Sequence, residues 1–199
     1  MAEIKSALEL ALARTEGMEV DKDKLRAKEQ KINGRRAALS FLDGNTDIKE
    51  FGKTCKKEKG DARAAFTAGA AGSFMSFVKL PADTNYKPQF IKAAEGLAAL
   101  SDHHDEIKQM FEQLNQFFDQ FLENREQLEK QLLTQFQPVL KQKEEALYAQ
   151  TGSRISINPM DDADFQKAYS QNMGNLSKNY LEALEQAKEQ LKDFLELED

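Results

Sequence analysis

Residues 101–150 read SDHHDEIKQMFEQLNQFFDQFLENREQLEKQLLTQFQPVLKQKEEALYAQ. Ile107, Phe111, Leu114, Phe118, Phe121, Leu128, Leu132, Phe136, Val139 and Leu147 recur mostly at steps of three and four, which places them on one stripe of a helix with about 3.6 residues per turn. Glu, Gln, Lys and Asn fill the intervening positions and give the solvated side. The pattern predicts one very long amphipathic helix from Ser101 to Gln150, about 70 Å in length at about 1.5 Å per residue. A single compact globule does not cover such a rod, so shorter helices must line up along it. The fold class that follows is all-α, an elongated helical bundle around this helix. Pro138 has no amide hydrogen for the carbonyl of Thr134, so a kink is expected there.

Downstream, Gly152 is a natural stop, and residues 153–159 read as an extended connection pinned by Ile155 and Ile157. Asp161 and Asp162 then open a last helix with Phe165, Tyr169, Met173, Leu176, Tyr180, Leu184, Ala187, Leu191 and Phe194 on one face, expected to pair antiparallel with the long one. Upstream, Pro88 suits the first turn of a helix carrying Phe90, Ile91, Ala94, Leu97, Ala98 and Leu100. Ala62 to Leu80 reads as a helix stopped by Pro81, with Ala65, Gly69 and Gly72 baring one face for close approach of another backbone. Its stretch Ala64 to Val78 carries no charge, which raises membrane insertion as an alternative. Fifteen residues fall short of the roughly 20 that span hydrocarbon, so a buried central helix is favoured.

Nearer the start, Asn45, Thr46 and Asp47 can cap a short helix whose apolar positions are Ile48, Phe51 and Cys55. Before it, Asp21 or Asp23 opens a helix in which Leu25, Ile32, Leu39 and Leu42 form the expected apolar seam, although Asn33-Gly34 weakens or splits it. Residues 2–16 place Ile4, Ala7, Leu8, Ala11 and Leu12 on one face of a short docking helix. The chain is expected to form one helical domain over 1–199, with residues 1–60 as a semi-independent basic arm in the alternative reading.

Charge is distributed unevenly. Residues 1–60 carry 14 Lys and Arg against 11 Asp and Glu, whereas residues 101–199 carry 10 against 20, within an overall net charge of −6. The plain expectation is that the basic front packs beside the acidic back. Cys55 is the single cysteine, which excludes an intrachain disulfide and favours a reducing compartment. The start Met-Ala-Glu-Ile-Lys carries an acid and no long apolar run, so a secretory signal is not expected and the cytoplasm is.

Candidate chemistry is sparse. His103 and His104 lie beside Asp102, Asp105 and Glu106, but adjacent residues on a helix diverge by about 100° and neither histidine follows a Glu by three residues. No metal site or cofactor is expected. Cys55 sits among Lys53, Lys56 and Lys57, which favour a thiolate, yet its spacing from Phe51 reads as core filler. No glycine-rich phosphate loop and no marked acid–base pair is present, so enzyme activity is not expected. The sharpest surface feature is Lys24, Lys28, Lys31 and Arg35, at steps of four, three and four along one helix side. They either answer the acidic surface of the last two helices, stay solvated, or meet an anionic partner. No aromatic residue interleaves them, which argues against nucleic acid. A protein partner is expected, and membrane association is not. Phe117, Leu122 and Leu133 make a second apolar face on the long helix, so a homodimer and a monomer both stay open.

The run Glu3-Ile4-Lys5-Ser6-Ala7-Leu8-Glu9-Leu10-Ala11, the charged helix after it and the later Tyr180-x-x-Ala183-Leu184 resemble a family of uncharacterised bacterial all-helical proteins. The resemblance implies a bacterial cytoplasmic protein and brings no activity with it.

Overall fold

A computed structural model of the chain describes residues 22–197. The helix expected over residues 2–16, and Asp21 as its successor's cap, lie outside them. The described residues form six α-helices: α1 (Lys22–Leu42), α2 (Ile48–Lys57), α3 (Asp61–Met75), α4 (Lys87–Leu100), α5 (His104–Thr151) and α6 (Ala163–Phe194), with 3-10 turns at Thr84–Tyr86 and Pro159–Asp161. No strand occurs among them, in agreement with the all-α expectation.

The local chemistry explains most boundaries. Asp47 caps α2 by accepting the Glu50 amide at 2.8 Å, and Lys56 and Lys57 lie at the negative end of its dipole. Gly60 takes a positive φ of 57° immediately before α3. That helix ends at Met75 rather than near Leu80, because the amides of Phe77 and Val78 turn back to the carbonyls of Phe74 and Met75 and tuck Val78 into the core. The hydroxyl of Ser101 accepts the His103 amide, so α5 starts three residues later than expected. At its other end Gly152, at φ 70°, closes the helix as expected. α5 runs through Pro138 as one element, with the proline on its exposed side where water can satisfy the freed carbonyl.

α1 corrects the sequence reading most. Asn33-Gly34 does not split it, and the expected seam faces outward: Leu25, Ile32 and Leu39 are 58%, 44% and 47% exposed, with Leu42 alone of the four buried. The buried face is instead Gly34, Ala38 and Phe41. The cause is backbone contact with α3. A Cβ on Gly34 would lie 2.0 Å from the Phe66 carbonyl oxygen, and one on Gly69 would lie 1.9 Å from that of Lys31. Close approach at Gly69 is as expected, but its counterpart is Gly34. Gly72 takes no part, having nothing within 4 Å of its missing Cβ.

Around this crossing Phe41, Phe51 and Phe74 stack and meet edge-to-face at centroid distances of 5.5 to 6.1 Å, closing the core between α1, α2 and α3. The Phe74 ring occupies the space a Cβ on Gly96 would fill, which brings α4 in. Ile91 is exposed, against expectation, because Phe90, Ala93, Leu97 and Leu100 take the core-facing positions at steps of three and four. Phe90 then meets Phe111 and Phe118 of α5 at 4.8 and 5.2 Å. Ala38, Phe41, Leu42, Phe51 and Cys55, all within the stretch read as an alternative basic arm, belong to this same apolar cluster.

α5 and α6 run antiparallel, as expected. The Ser101 hydroxyl donates to the Phe194 carbonyl, Asn124 donates to the Tyr180 hydroxyl at 2.7 Å, Phe136 packs on Phe165 at 5.3 Å, and Lys143 reaches Asp162. The first half of α5 lies in the head formed with α1 to α4. Past Arg125, which donates to the Ala82 carbonyl at 2.6 Å, α5 pairs with α6 and with the connection between them. These 26 residues to Thr151 make a two-helix stalk about 39 Å long. Its seam follows four-residue steps through Leu132, Phe136 and Leu140, so Leu140 is buried and Val139 exposed, the reverse of the expectation. Phe117 is not an external face either, since its ring packs on Tyr180 at 4.7 Å. In the connection, Ile155 is exposed, and the pin is Ile157, whose amide donates to Glu144 at 2.8 Å.

Two outcomes follow. Gly69→Ala should lower the unfolding free energy by roughly 1 to 3 kcal/mol in urea denaturation, because a methyl there meets backbone, although Ala is the better helix former. Gly72→Ala, on open surface, should instead raise it by about 0.5 to 1 kcal/mol. At the stalk tip, the Lys143 ammonium and the Phe165 amide hold the Asp162 carboxyl below the usual carboxylate range, and Asp162 and Asp164 hold Lys143 above the usual lysine range. A depressed carboxylate stabilises the fold above its unfolded value of about 3.9 and ceases to as pH falls through its lower folded value. Lys143→Met should therefore raise the Asp162 pKa in an NMR titration, and the stability difference from wild type should shrink as pH drops below about 4.

Candidate docking face on the first helix

The crossing with α3 fixes which side of α1 meets solvent. With Gly34 and Ala38 turned inward, Leu25, Ile32 and Leu39 project from the opposite side, spaced seven residues apart. Seven residues fall about 20° short of two full turns, so the three side chains make one slightly winding aliphatic ridge about 21 Å long. Lys24, Lys28, Lys31 and Arg35 are all exposed and run along one flank of the ridge, while Arg36 lies between Ile32 and Leu39. Over its whole length α1 carries seven basic residues (Lys22, Lys24, Arg26, Lys28, Lys31, Arg35, Arg36) against Asp23 and Glu29.

The expectation that the basic front answers the acidic back is not met at these residues. Among the described residues, no ion pair joins Lys28, Lys31, Arg35 or Arg36 to any carboxylate. Several acids of the back half pair with cations near them: Glu126 with Lys130, Glu185 with Lys188, Glu189 with Lys192, and Asp162 and Asp164 with Lys143. The α1 face thus offers apolar surface and donors.

The other candidates are absorbed by the fold. Cys55 lies in the core, and burial pushes its thiol up to about 11, so the neighbouring lysines do not activate it. The His104 ring bonds the Ala98 carbonyl, and His103 packs on Phe194 at 5.6 Å with Glu106 at 3.7 Å. Among the described residues, no three His, Cys, Asp or Glu side chains converge on a metal position. A cleft of about 260 Å³ lies beside His103, Arg63 and Glu196, but Ser101 at its wall is spent on the Phe194 carbonyl and the His103 amide. One polar cluster has no sequence signal. The Tyr86 hydroxyl donates to Asn115 at 2.9 Å and to Asp119 at 3.2 Å, and Lys87 pairs with Asp119 at 2.8 Å. These partners lie about thirty residues away in the chain, on a different helix, so no local spacing reveals them. Burial, with Asp119 adding to it, holds the Tyr86 phenol far above its ordinary value, which makes the cluster a brace between α4 and α5.

The chain matches the family of unknown function DUF6657 over residues 52–193, most of its length. It belongs to that family. The DUF6657 stretch begins within α2 and ends in α6, so α1 and its exposed face precede it. Membership of an uncharacterised family is as expected. Tyr180, Ala183 and Leu184 lie inside the DUF6657 stretch, whereas the Glu3 to Ala11 run does not. No curated protein and no solved structure matches the chain. Among the described residues no helix is long and apolar enough to cross a membrane, and the uncharged α3 is accounted for by Phe66, Ala70, Ala71 and Phe74 in the core.

The Cys55 environment is directly testable. The native chain should react with a thiol reagent at pH 8 far more slowly than the same chain in urea, because both burial and the raised pKa suppress the thiolate. Since the pKa is raised on folding, Cys55 favours the folded state at neutral pH, and that preference is lost as pH rises from its ordinary value towards about 11.

Proposed function

We propose that this protein is a non-enzymatic protein-interaction module of the cytoplasm, which presents the outer side of α1 to an acidic amphipathic helix of another protein. The observation that carries this reading is the register of Leu25, Ile32 and Leu39, exposed in one line beside Lys28, Lys31 and Arg35, which have no carboxylate partner among the described residues. Single exposed leucines are ordinary, but an aliphatic line flanked by unanswered cations has both ingredients of a helix-binding surface. Nucleic acid is the second reading, supported by the same three cations. The aliphatic ridge among them speaks for a protein, because strand binders interleave aromatic rings for base stacking. A burial-shielded cysteine is in keeping with the reducing compartment.

A photoreactive side chain at Leu39, introduced in living cells, tests the reading. A protein adduct of one discrete mass is expected, and it should disappear on Lys28→Glu with Lys31→Glu while the melting temperature changes little. An adduct removed by nuclease would point to nucleic acid instead. An adduct at twice the chain mass, or none, would end the reading.

A further inference from the structure

Beyond Arg125 the stalk is two helices wide, and its two broad sides differ in chemistry. On α5, Leu128, Gln131, Gln135, Val139, Gln142 and Ala146 follow one another at steps of three, four, four, three and four, so they form one stripe along the helix. On α6, Ala168, Asn172, Asn175 and Asn179 form a second stripe at steps of four, three and four. Both stripes sit one residue ahead of the seam. Gln131, Gln135 and Val139 directly precede Leu132, Phe136 and Leu140, and Asn172, Asn175 and Asn179 directly precede Met173, Leu176 and Tyr180. Successive helical residues are turned by about 100°, so each stripe is rotated from its own seam by the same angle in the same sense. In an antiparallel pair that places the two stripes on the same side of the stalk. The connection between the helices takes the other side, where Ile157 donates to Glu144 at 2.8 Å and, with Pro159, borders Leu133, Gln137 and Lys141.

The side that holds the stripes is open and carries no charge on them. Leu128 and Ala168 are half-buried, and the other eight positions, Val139 included, are exposed. In a chain that is 31% charged, ten positions of ordinary solvated surface would hold about three charged residues. The charges of the α5 stalk are present but lie off the stripe, at Glu126, Glu129, Lys130, Lys141, Glu144 and Glu145. Depletion of charge marks a surface that becomes buried on association, because a buried charge has to give up its water.

We infer that this face is the contact with a second copy of the chain, the two stalks packing side by side as a four-helix bundle. The stripes have no charge to repel their own image, unlike α1 with its seven bases against two acids. Their polar members are all Gln and Asn, whose amides both donate and accept, so a two-fold axis can pair the face with itself and make each contact twice. The area also suffices. The 26 residues of the α5 stalk rise about 39 Å and two helices side by side measure about 20 Å, which gives about 780 Å² per partner against the roughly 800 Å² of a standard stable interface. This contact and the α1 face are separate surfaces, and neither depends on the other.

Light scattering on the full-length chain at tens of micromolar protein should give twice its 22.5 kDa, since interfaces of this area bind in the micromolar range or tighter. Gln135→Glu with Val139→Glu sets like charges against their copies and should raise the dissociation constant at least tenfold with helical circular dichroism unchanged. Gln137→Glu with Lys141→Gln makes the same change of net charge on the opposite side and should leave the dimer intact. Gln135→Cys should react with a thiol reagent several-fold more slowly as protein concentration rises, while Gln137→Cys reacts at one rate throughout; Cys55 is buried and does not interfere. A mass of 22.5 kDa at the higher concentration would overturn the inference. So would equal loss of the dimer in the two double variants, or a dimer that leaves Gln135→Cys unprotected, because the copies would then meet elsewhere.

Discussion

Gly34 and Gly69 bring the backbones of α1 and α3 into contact, and the rest of the head depends on that contact. Where a Cβ at either position would lie within about 2 Å of a carbonyl carbon or oxygen of the opposing helix, the interface has no room for side chains, and the small residues of both helices must face it. Rotation of α1 about its axis is thereby set. Phe41 comes to rest on Phe51 and Phe74, and Phe74 in turn fits against the bare Gly96 of α4. The same rotation decides what is left outside. Leu25, Ile32 and Leu39 lie opposite the crossing because a helix that turns its glycine inward has no freedom to turn its leucines inward as well.

The long helix serves two different environments. Up to Phe118 its apolar stripe is one wall of a multi-helix core, shared with Phe90, Leu97 and Leu184. Beyond Arg125 it has a single helical neighbour, and its seam narrows to residues at four-residue steps. A two-helix pair buries less apolar surface per residue than a core wall does, so polar contacts carry more of the register there. Asn124 with Tyr180 lies at the base of the stalk, and Glu144 with Ile157 and Lys143 with Asp162 and Asp164 lie at its tip. Asp162 has a double role, capping α6 through the Phe165 amide at 3.0 Å while it holds Lys143 of the opposite helix.

Much of this fold was legible in the sequence because the long helices repeat their signal. α6 keeps Phe165 to Phe194 on one side over 32 residues, and each apolar position reinforces the next. α1 was misread for a physical reason. Periodicity counts large apolar residues, whereas its true interface is built from Gly34 and Ala38, whose contribution is the absence of side chain. Gly69 was recognised from a helix crowded with small residues, but nothing local distinguishes it from Gly72, three residues away and open to solvent. The choice between them is made by Lys31 of another helix. The Tyr86, Asn115 and Asp119 brace escaped notice for the same reason, since its members become neighbours only when α4 lies on α5. The cationic stripe was read from spacing alone and is indeed exposed along one side. The ridge beside it was read as a packing seam, so the combination of exposed ridge and cations emerged only with the rotation of α1.

The charge distribution takes on meaning once its internal pairings are known. A chain with a basic front and an acidic back could satisfy both by folding one onto the other, and that arrangement would leave the surface without a directed field. Instead Glu126, Glu185 and Glu189 pair with lysines three or four residues away, and Asp162 and Asp164 pair with Lys143 across the tip. Lys28, Lys31, Arg35 and Arg36, with no carboxylate partner among the described residues, are left to act outward. Their influence extends about 8 Å at physiological salt, which limits it to whatever lies against the helix or is tied close to it.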